Sequence, residues 1–105
     1  MHVQVLLSTF NGEAYLIPQL TSILQQTQVQ VSILIRDDGS QDKTVDIIKE
    51  QMKTHSNIQL IEGSNIGVVR SYFALMDAAT PTCDYFAFCD QDDIWIPDKL
   101  AIAVS

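Results

Sequence analysis

Residues 31–52 read VSILIRDDGSQDKTVDIIKEQM. Val31, Ile33, Leu34 and Ile35 make an apolar run of strand length, closed by Arg36, Asp37, Asp38, Gly39 and Ser40, where turn-forming residues gather. From about Lys43 the period changes. Val45, Ile48 and Met52 recur on one helical face, and Asp42 or Ser40 is available as its cap. A buried strand, a polar turn at its carboxyl end and an amphipathic helix make one βα unit.

The same pattern extends in both directions. Upstream, Val3, Val5, Leu6 and Leu7 form a strand ending in Ser8, Thr9, Phe10, Asn11 and Gly12. A helix follows from Glu13 to about Gln26, with Leu16, Leu20, Ile23 and Leu24 at helical spacing and Pro18 near its first turn. Downstream, Ile58, Leu60 and Ile61 form a third strand. Gly67 opens a third helix whose expected inner face is Val69, Tyr72, Phe73 and Met76. Tyr85 to Cys89 is a fourth strand, apolar on both faces and therefore expected to be central. Pro97 starts a fourth helix through Leu100 and Val104. This order predicts an α/β fold: a doubly wound, mostly parallel sheet with strand order 3-2-1-4, a Rossmann-like half. The chain stops within a helical pattern at Ala103, Val104 and Ser105, which reads as part of a longer protein.

Size and charge narrow the classes. A chain of 105 residues supports one domain, and 47% apolar with 18% charged residues is a globular composition. Thirteen acidic side chains against six basic give a net charge of -7, which argues against nucleic acid as the partner. No apolar run reaches the roughly 20 residues of a membrane helix, and Met1 to Leu7 lacks the features of a signal peptide. Cys83 and Cys89 read as small buried hydrophobes in a reducing, cytosolic setting.

In an open parallel sheet, ligands bind beyond the carboxyl ends of the strands, where the strand order reverses. Ser8, Thr9 and Asn11 end the first strand, Asp37 and Asp38 the second, and Asp90, Asp92 and Asp93 the fourth. Meeting on one rim, these five carboxylates would repel one another, and a divalent cation would relieve the repulsion. Asp90-Gln91-Asp92 offers alternate carboxylates suited to Mg²⁺ or Mn²⁺, and no His or Cys stands at zinc spacing. The plain alternative is a turn, or acids placed ahead of a helix. Likewise Asp37-Asp38-Gly39-Ser40 reads either as a turn with a helix cap or as the carboxylate that holds a nucleotide after the second strand. Trp95 is either a core plug or a wall for a ligand. Neither G-x-G-x-x-G nor G-x-x-x-x-G-K-[ST] occurs, which excludes the common dinucleotide and P-loop sites.

Four segments in register, VLLSTFNG (5–12), IRDDGSQDKT (35–44), NIGVVRS (65–71) and FCDQDDIWIPDKL (88–100), resemble the amino-terminal half of family-2 inverting glycosyltransferases of the GT-A fold. The last segment is most similar to rhamnosyltransferase-like members that build bacterial surface polysaccharide. The resemblance covers nearly all of the chain. It implies that residues 1–105 are the nucleotide-sugar-binding part of a glycosyltransferase domain whose acceptor side lies elsewhere.

By the same resemblance, Ser8, Thr9, Phe10 and Asn11 pack against the nucleotide and Asp38 hydrogen-bonds its base. Arg70 lies near the donor site. Asp90 and Gln91 belong to the sugar or ribose contact, and Asp92 holds a Mn²⁺ or Mg²⁺ ion that bridges the diphosphate. The implied partners are a UDP- or dTDP-linked sugar donor and a saccharide or lipid-linked acceptor. The implied setting is cytoplasmic, with any membrane attachment supplied by later segments. The catalytic base is expected beyond residue 105. Ser8 departs from the family, which commonly has Pro there.

Three other readings make different demands on the sequence. A sugar-phosphate nucleotidyltransferase wants a Gly-rich basic loop after the first strand, which Ser8 to Gly12 does not supply. A receiver-like signalling module wants its acid pair after the first strand, where Ser8-Thr9 stands. A nucleotide-sugar-binding remnant without turnover fits the same residues. A sheet missing its remaining strands is also expected to expose an apolar edge through which the chain self-associates.

Overall fold

The structure, a computed structural model, describes residues 1–104. Of the chain's last three residues, Ser105 lies outside the described residues. Four strands alternate with four helices: β1 (His2–Thr9), α1 (Leu16–Leu24), β2 (Gln30–Asp38), α2 (Thr44–Met52), β3 (Ile58–Gly63), α3 (Val68–Ala78), β4 (Tyr85–Cys89) and α4 (Lys99–Val104). All pairings are parallel and the order is β3-β2-β1-β4, as the crossover pattern predicts.

The strands run further than their apolar runs. The ladder continues through Ser8↔Arg36, Thr9↔Asp37 and Asp38↔Gly63, so these polar residues are strand ends rather than loops. Backbone pairing does not depend on side-chain polarity; what matters is whether each side chain finds a partner on its face. Strand alternation then sorts them. Val3, Val5, Leu7, Ile33 and Ile35 point to one face and pack with Leu16, Leu20, Ile23, Ile48, Trp95 and Leu100. Leu6 and Leu34 point to the other, where Leu75 of α3 meets them. Trp95 is thus a core plug, with Lys99 Nζ 5.1 Å from its ring centroid. Cys83 and Cys89 are free thiols, Cys89 buried and Cys83 half-buried.

Two expectations need correction. The inner face of α3 is Ser71 and Leu75, while Val69, Phe73 and Met76 are exposed and Tyr72 is half-buried. The cause lies opposite the helix: on that face β1 and β2 end in Ser8 and Arg36, and Ser71 satisfies both. Also, β4 is an edge strand, with β1 as its neighbour and Tyr85, Phe86 and Phe88 exposed. No helix among the described residues is long and apolar enough to cross a membrane.

Candidate functional site

A cleft of about 380 Å³ opens at the carboxyl ends of the strands, lined by Ser8, Phe10, Asp38, Asn65, Gly67, Val68, Tyr72, Asp90 and Gln91. It lies between β1, the β3–α3 connection and the loop after β4, at the switch point where β1 sits between β2 and β4. Five of the residues singled out in the sequence meet here: Ser8, Phe10, Asp38, Asp90 and Gln91.

The two acids of Asp37-Asp38 part company, because consecutive strand residues face opposite sides. Asp37 turns away from the cleft. It accepts hydrogen bonds from the Thr9 hydroxyl at 2.8 Å, the Ser40 hydroxyl at 2.6 Å and the Ser40 amide at 2.8 Å. Around it the loops after β1 and β2 are zipped together. The Asn11 amide donates to Ser40 Oγ, the Gln41 amide to Asn11 Oδ1, the Gly12 amide to Thr44 Oγ1 and the Glu13 amide to Asp42 Oδ2. Asn11 takes φ 49°, a left-handed conformation that Asn tolerates better than most residues. Thr9 and Asn11 therefore belong to this framework rather than to the cleft wall. So do Ser40, Asp42 and Thr44, with Asp42 also receiving the Thr44 amide at 2.9 Å.

Asp38 faces α3. Its Oδ1 accepts from Arg36 Nη1 at 2.7 Å and from the Ile66 amide at 2.9 Å, and its Oδ2 accepts from the Gly67 amide at 3.1 Å. Burial works to raise its pKa, but these donors and the Arg36 charge hold the carboxyl below the usual carboxylate range. Ionised Asp38 keeps acceptor capacity on Oδ2 for a ligand donor. Gly39 (φ 80°) could not carry a side chain here: an added Cβ would stand 2.9 Å from the Asn65 backbone nitrogen.

Across the cleft, Gln91 Oε1 accepts the Phe10 amide at 2.6 Å, joining the ends of β1 and β4. Gln19 of α1 anchors the same loop from behind, its Nε2 donating to the Asp90 carbonyl at 2.6 Å. Tyr72 donates its hydroxyl to the Cys89 carbonyl and meets the Phe88 ring edge-on, with centroids 5.8 Å apart. Burial, with Asp90 nearby, pushes the Tyr72 hydroxyl up to about 12, so it stays a neutral donor. Asp90 is exposed on the cleft wall. Asp92 takes φ 69° and is exposed outside the lining; burial of the Tyr15 hydroxyl, with the Asp92 charge beside it, raises the Tyr15 pKa. Arg70 is exposed in the first turn of α3, also outside the lining.

The expected crevice of five carboxylates does not form. Asp38 and Asp90 line the cleft, and Asp37 is tied off on the opposite face. Among the described residues no three His, Cys, Asp or Glu side chains converge as a metal cluster. The donor set that remains, two exposed carboxylates flanking Gln91, suits a hard divalent cation that takes the rest of its ligands from phosphate and water. A resident cation held by protein alone would need more.

Sequence reading did not single out Arg36 or Asn65, and placed Tyr72 in the core. The spacing of Arg36 and Asp38, two apart on a strand, was the available signal, since such residues share a face.

A parallel sheet with a carboxylate after β2, an acidic loop after β4 and a cleft at its switch point defines a doubly wound α/β domain with the cleft where such sheets take their ligands. Comparison with known proteins makes this specific. The chain belongs to glycosyl transferase family 2, whose model matches residues 4–105. It is 38% identical over 102 residues to the dTDP-rhamnosyl transferase RfbG of Shigella flexneri, covering 93% of this chain and 35% of that protein. It is 35% identical over 99 residues to the putative glycosyltransferase EpsH of Bacillus subtilis, covering 91% of this chain and 27% of that protein. The chain thus spans about a third of the length of these relatives.

Among solved structures, S. aureus TarS 1–349 in complex with UDP-GlcNAc superposes with a TM-score of 0.85 at 23% identity, over 99% of this chain and 30% of that one. The mannosyltransferase PcManGT of Pyrobaculum calidifontis, in complex with GDP-Man and Mn²⁺, gives 0.87 at 24% identity, over 97% and 31%. These likenesses establish the GT-A-like fold.

Proposed function

We propose that this chain is the donor-binding part of an inverting, metal-dependent glycosyltransferase that acts in surface-polysaccharide synthesis. The observation that carries the reading is the cleft that joins Asp38 to Asp90-Gln91 at the sheet's switch point. Family membership supports it, and the Shigella relative favours a dTDP-linked donor, with UDP as the alternative.

In this reading Asp38 accepts from the nucleobase, while Ser8 and Phe10 form the adjoining wall. Thr9 and Asn11 shape that wall from behind. Asp90 and Gln91 contact the ribose or sugar, and Asp92, with Asp90, holds Mn²⁺ or Mg²⁺. Arg70 would have to swing toward the donor to reach it. When bound, the cation supplies Lewis-acid stabilisation for negative charge on the diphosphate. An acceptor hydroxyl oxygen bonds to the anomeric carbon as the bond to the diphosphate oxygen breaks. That electron pair departs with the nucleoside diphosphate, and the hydroxyl proton passes to a carboxylate base. No residue of this chain is assigned as that base. The acceptor is a saccharide or lipid-linked saccharide.

The exposed apolar residues along β4 and α3, Phe86, Phe88, Val69, Phe73 and Met76, support self-association of the isolated chain.

Saturation-transfer NMR with dTDP- and UDP-linked sugars tests the donor reading. Transfer to the base and ribose protons is expected, with stronger transfer for one of the two. Absence of transfer to either would overturn it.

A further inference from the structure

Arg36 is the only lysine or arginine buried among the described residues. A buried guanidinium is costly unless its N–H groups and its charge are met. Here they are met by three different elements. Nη1 donates to Asp38 Oδ1 at 2.7 Å and to Ser71 Oγ of α3 at 3.1 Å, and Nη2 donates to the Ser64 carbonyl at 3.1 Å. Ser71 is itself fixed by the Ser8 hydroxyl at 2.6 Å. One side chain therefore ties the end of β2 to α3 and to the segment leading into it.

Gly63 gives an independent sign that the site is built for this group. It pairs with Asp38 across the ladder, and a Cβ added there would stand 2.1 Å from Arg36 Nη2 and 2.4 Å from Cζ. The guanidinium occupies the space a side chain would need. Asp38 extends the linkage by accepting the Ile66 and Gly67 amides, and Asp38, Asn65, Gly67 and Val68 all line the cleft. Arg36 itself is not in the lining, so it acts through these residues. The other ionisable groups facing Asp38 across the cleft are Tyr72 of α3 and Asp90 after β4.

We propose that Arg36 is a positioning residue: seated over Gly63, it fixes the Asp38 carboxylate and the Ser64–Gly67 segment in the arrangement that receives the nucleobase of the donor. This rests on the donor-site reading above and assigns the base-binding wall a second layer. Because Asp38 shares Oδ1 between Arg36 and the Ile66 amide, removing the guanidinium releases both the carboxylate and the loop it orders.

The test is calorimetric titration of dTDP, UDP and GDP, and of inorganic pyrophosphate, each with Mn²⁺, into wild type, Arg36→Met, Arg36→Lys and Gly63→Ala. Circular dichroism establishes that each variant is folded. Gly63→Ala leaves Arg36 in the sequence but displaces it, so it decides the matter if Arg36→Met does not fold. Both are expected to weaken the nucleoside diphosphate roughly ten- to hundredfold, to leave pyrophosphate binding unchanged, and to speed exchange of the Ile66 and Gly67 amides. Arg36→Lys, which keeps a cation near Asp38, should recover part of the loss. Folded variants that bind nucleotide as wild type does would overturn this proposal alone. So would an equal loss for nucleotide and pyrophosphate, since a general structural role does not discriminate between them. A wild type that binds none of the three nucleotides would overturn the donor-site reading, and this proposal with it.

Discussion

The backbone amide of Phe10 donates to Gln91 Oε1 at 2.6 Å, across 81 residues of sequence. That bond links the turn after β1 to the loop after β4 and closes one side of the cleft. It also explains why Gln91 stands between two aspartates: a neutral acceptor can sit against a backbone amide without adding a third charge.

Gln91→Ala is expected to release the Phe10 amide. Losing one hydrogen bond of this kind costs about 0.5–1.5 kcal/mol, so Phe10 exchange should speed up while the global melting temperature moves little. Gln91→Glu keeps an acceptor and should restore the slow exchange. Unchanged Phe10 exchange in Gln91→Ala would show that the bond does not persist in solution.

Acid should weaken the fold through Asp38 and Asp42. Burial acts to raise both pKa values, but Asp38 is held low by the Ile66 and Gly67 amides and by Arg36, and Asp42 by the Thr44 hydroxyl and amide and the Glu13 amide. Groups with folded values below their unfolded ones add stability that is complete above the ordinary carboxylate pKa, about 4. It is lost as pH falls through the lower folded value. Urea midpoints should therefore hold from pH 7 to about 5 and drop below pH 4. Asp42→Asn should flatten that slope. A variant as acid-sensitive as wild type would rule out the Asp42 share.

The two thiols should differ in reactivity. Burial pushes the Cys89 thiol up to about 11, and Cys83 is half-buried. Only the thiolate is nucleophilic. Iodoacetamide at pH 8 should modify Cys83 first, with one adduct by mass spectrometry on the native chain and two in urea. Equal native rates would contradict the burial of Cys89.

Sedimentation velocity should show association that grows with concentration, because Phe73, Met76, Phe86 and Phe88 present an exposed apolar surface beside the open edge of β4. Phe88→Glu should shift the distribution toward monomer. A single monomer peak at every concentration would exclude self-association through this face.

Much of this architecture was legible in the sequence. The apolar runs at Val3–Leu7 and Val31–Ile35, each followed by helical spacing, specified the parallel order that the sheet adopts. The α3 face was not. Val69, Tyr72, Phe73 and Met76 make the better apolar stripe, but the helix turns Ser71 inward because the strand ends beneath it are Ser8 and Arg36. A buried polar residue whose partners are 35 and 63 residues away leaves no local signal.

The site was legible in part for a related reason. Asp38 and Asp90 follow from strand-end position and Gln91 from the family resemblance, and all three line one cleft. The separation of Asp37 from Asp38 follows from strand alternation once the ladder is known to reach Asp38. Reading those residues as a loop hid it, and with it the Arg36–Asp38 pair.

Calorimetric titration of dTDP and UDP with and without Mn²⁺, repeated on Asp92→Ala and Asp38→Ala, tests the central claim most directly. Binding that requires the metal, is lost in Asp92→Ala and is weakened in Asp38→Ala would place the nucleoside diphosphate between the strand-end carboxylate and the acidic loop. Binding to neither nucleotide, or binding indifferent to both substitutions, would contradict it.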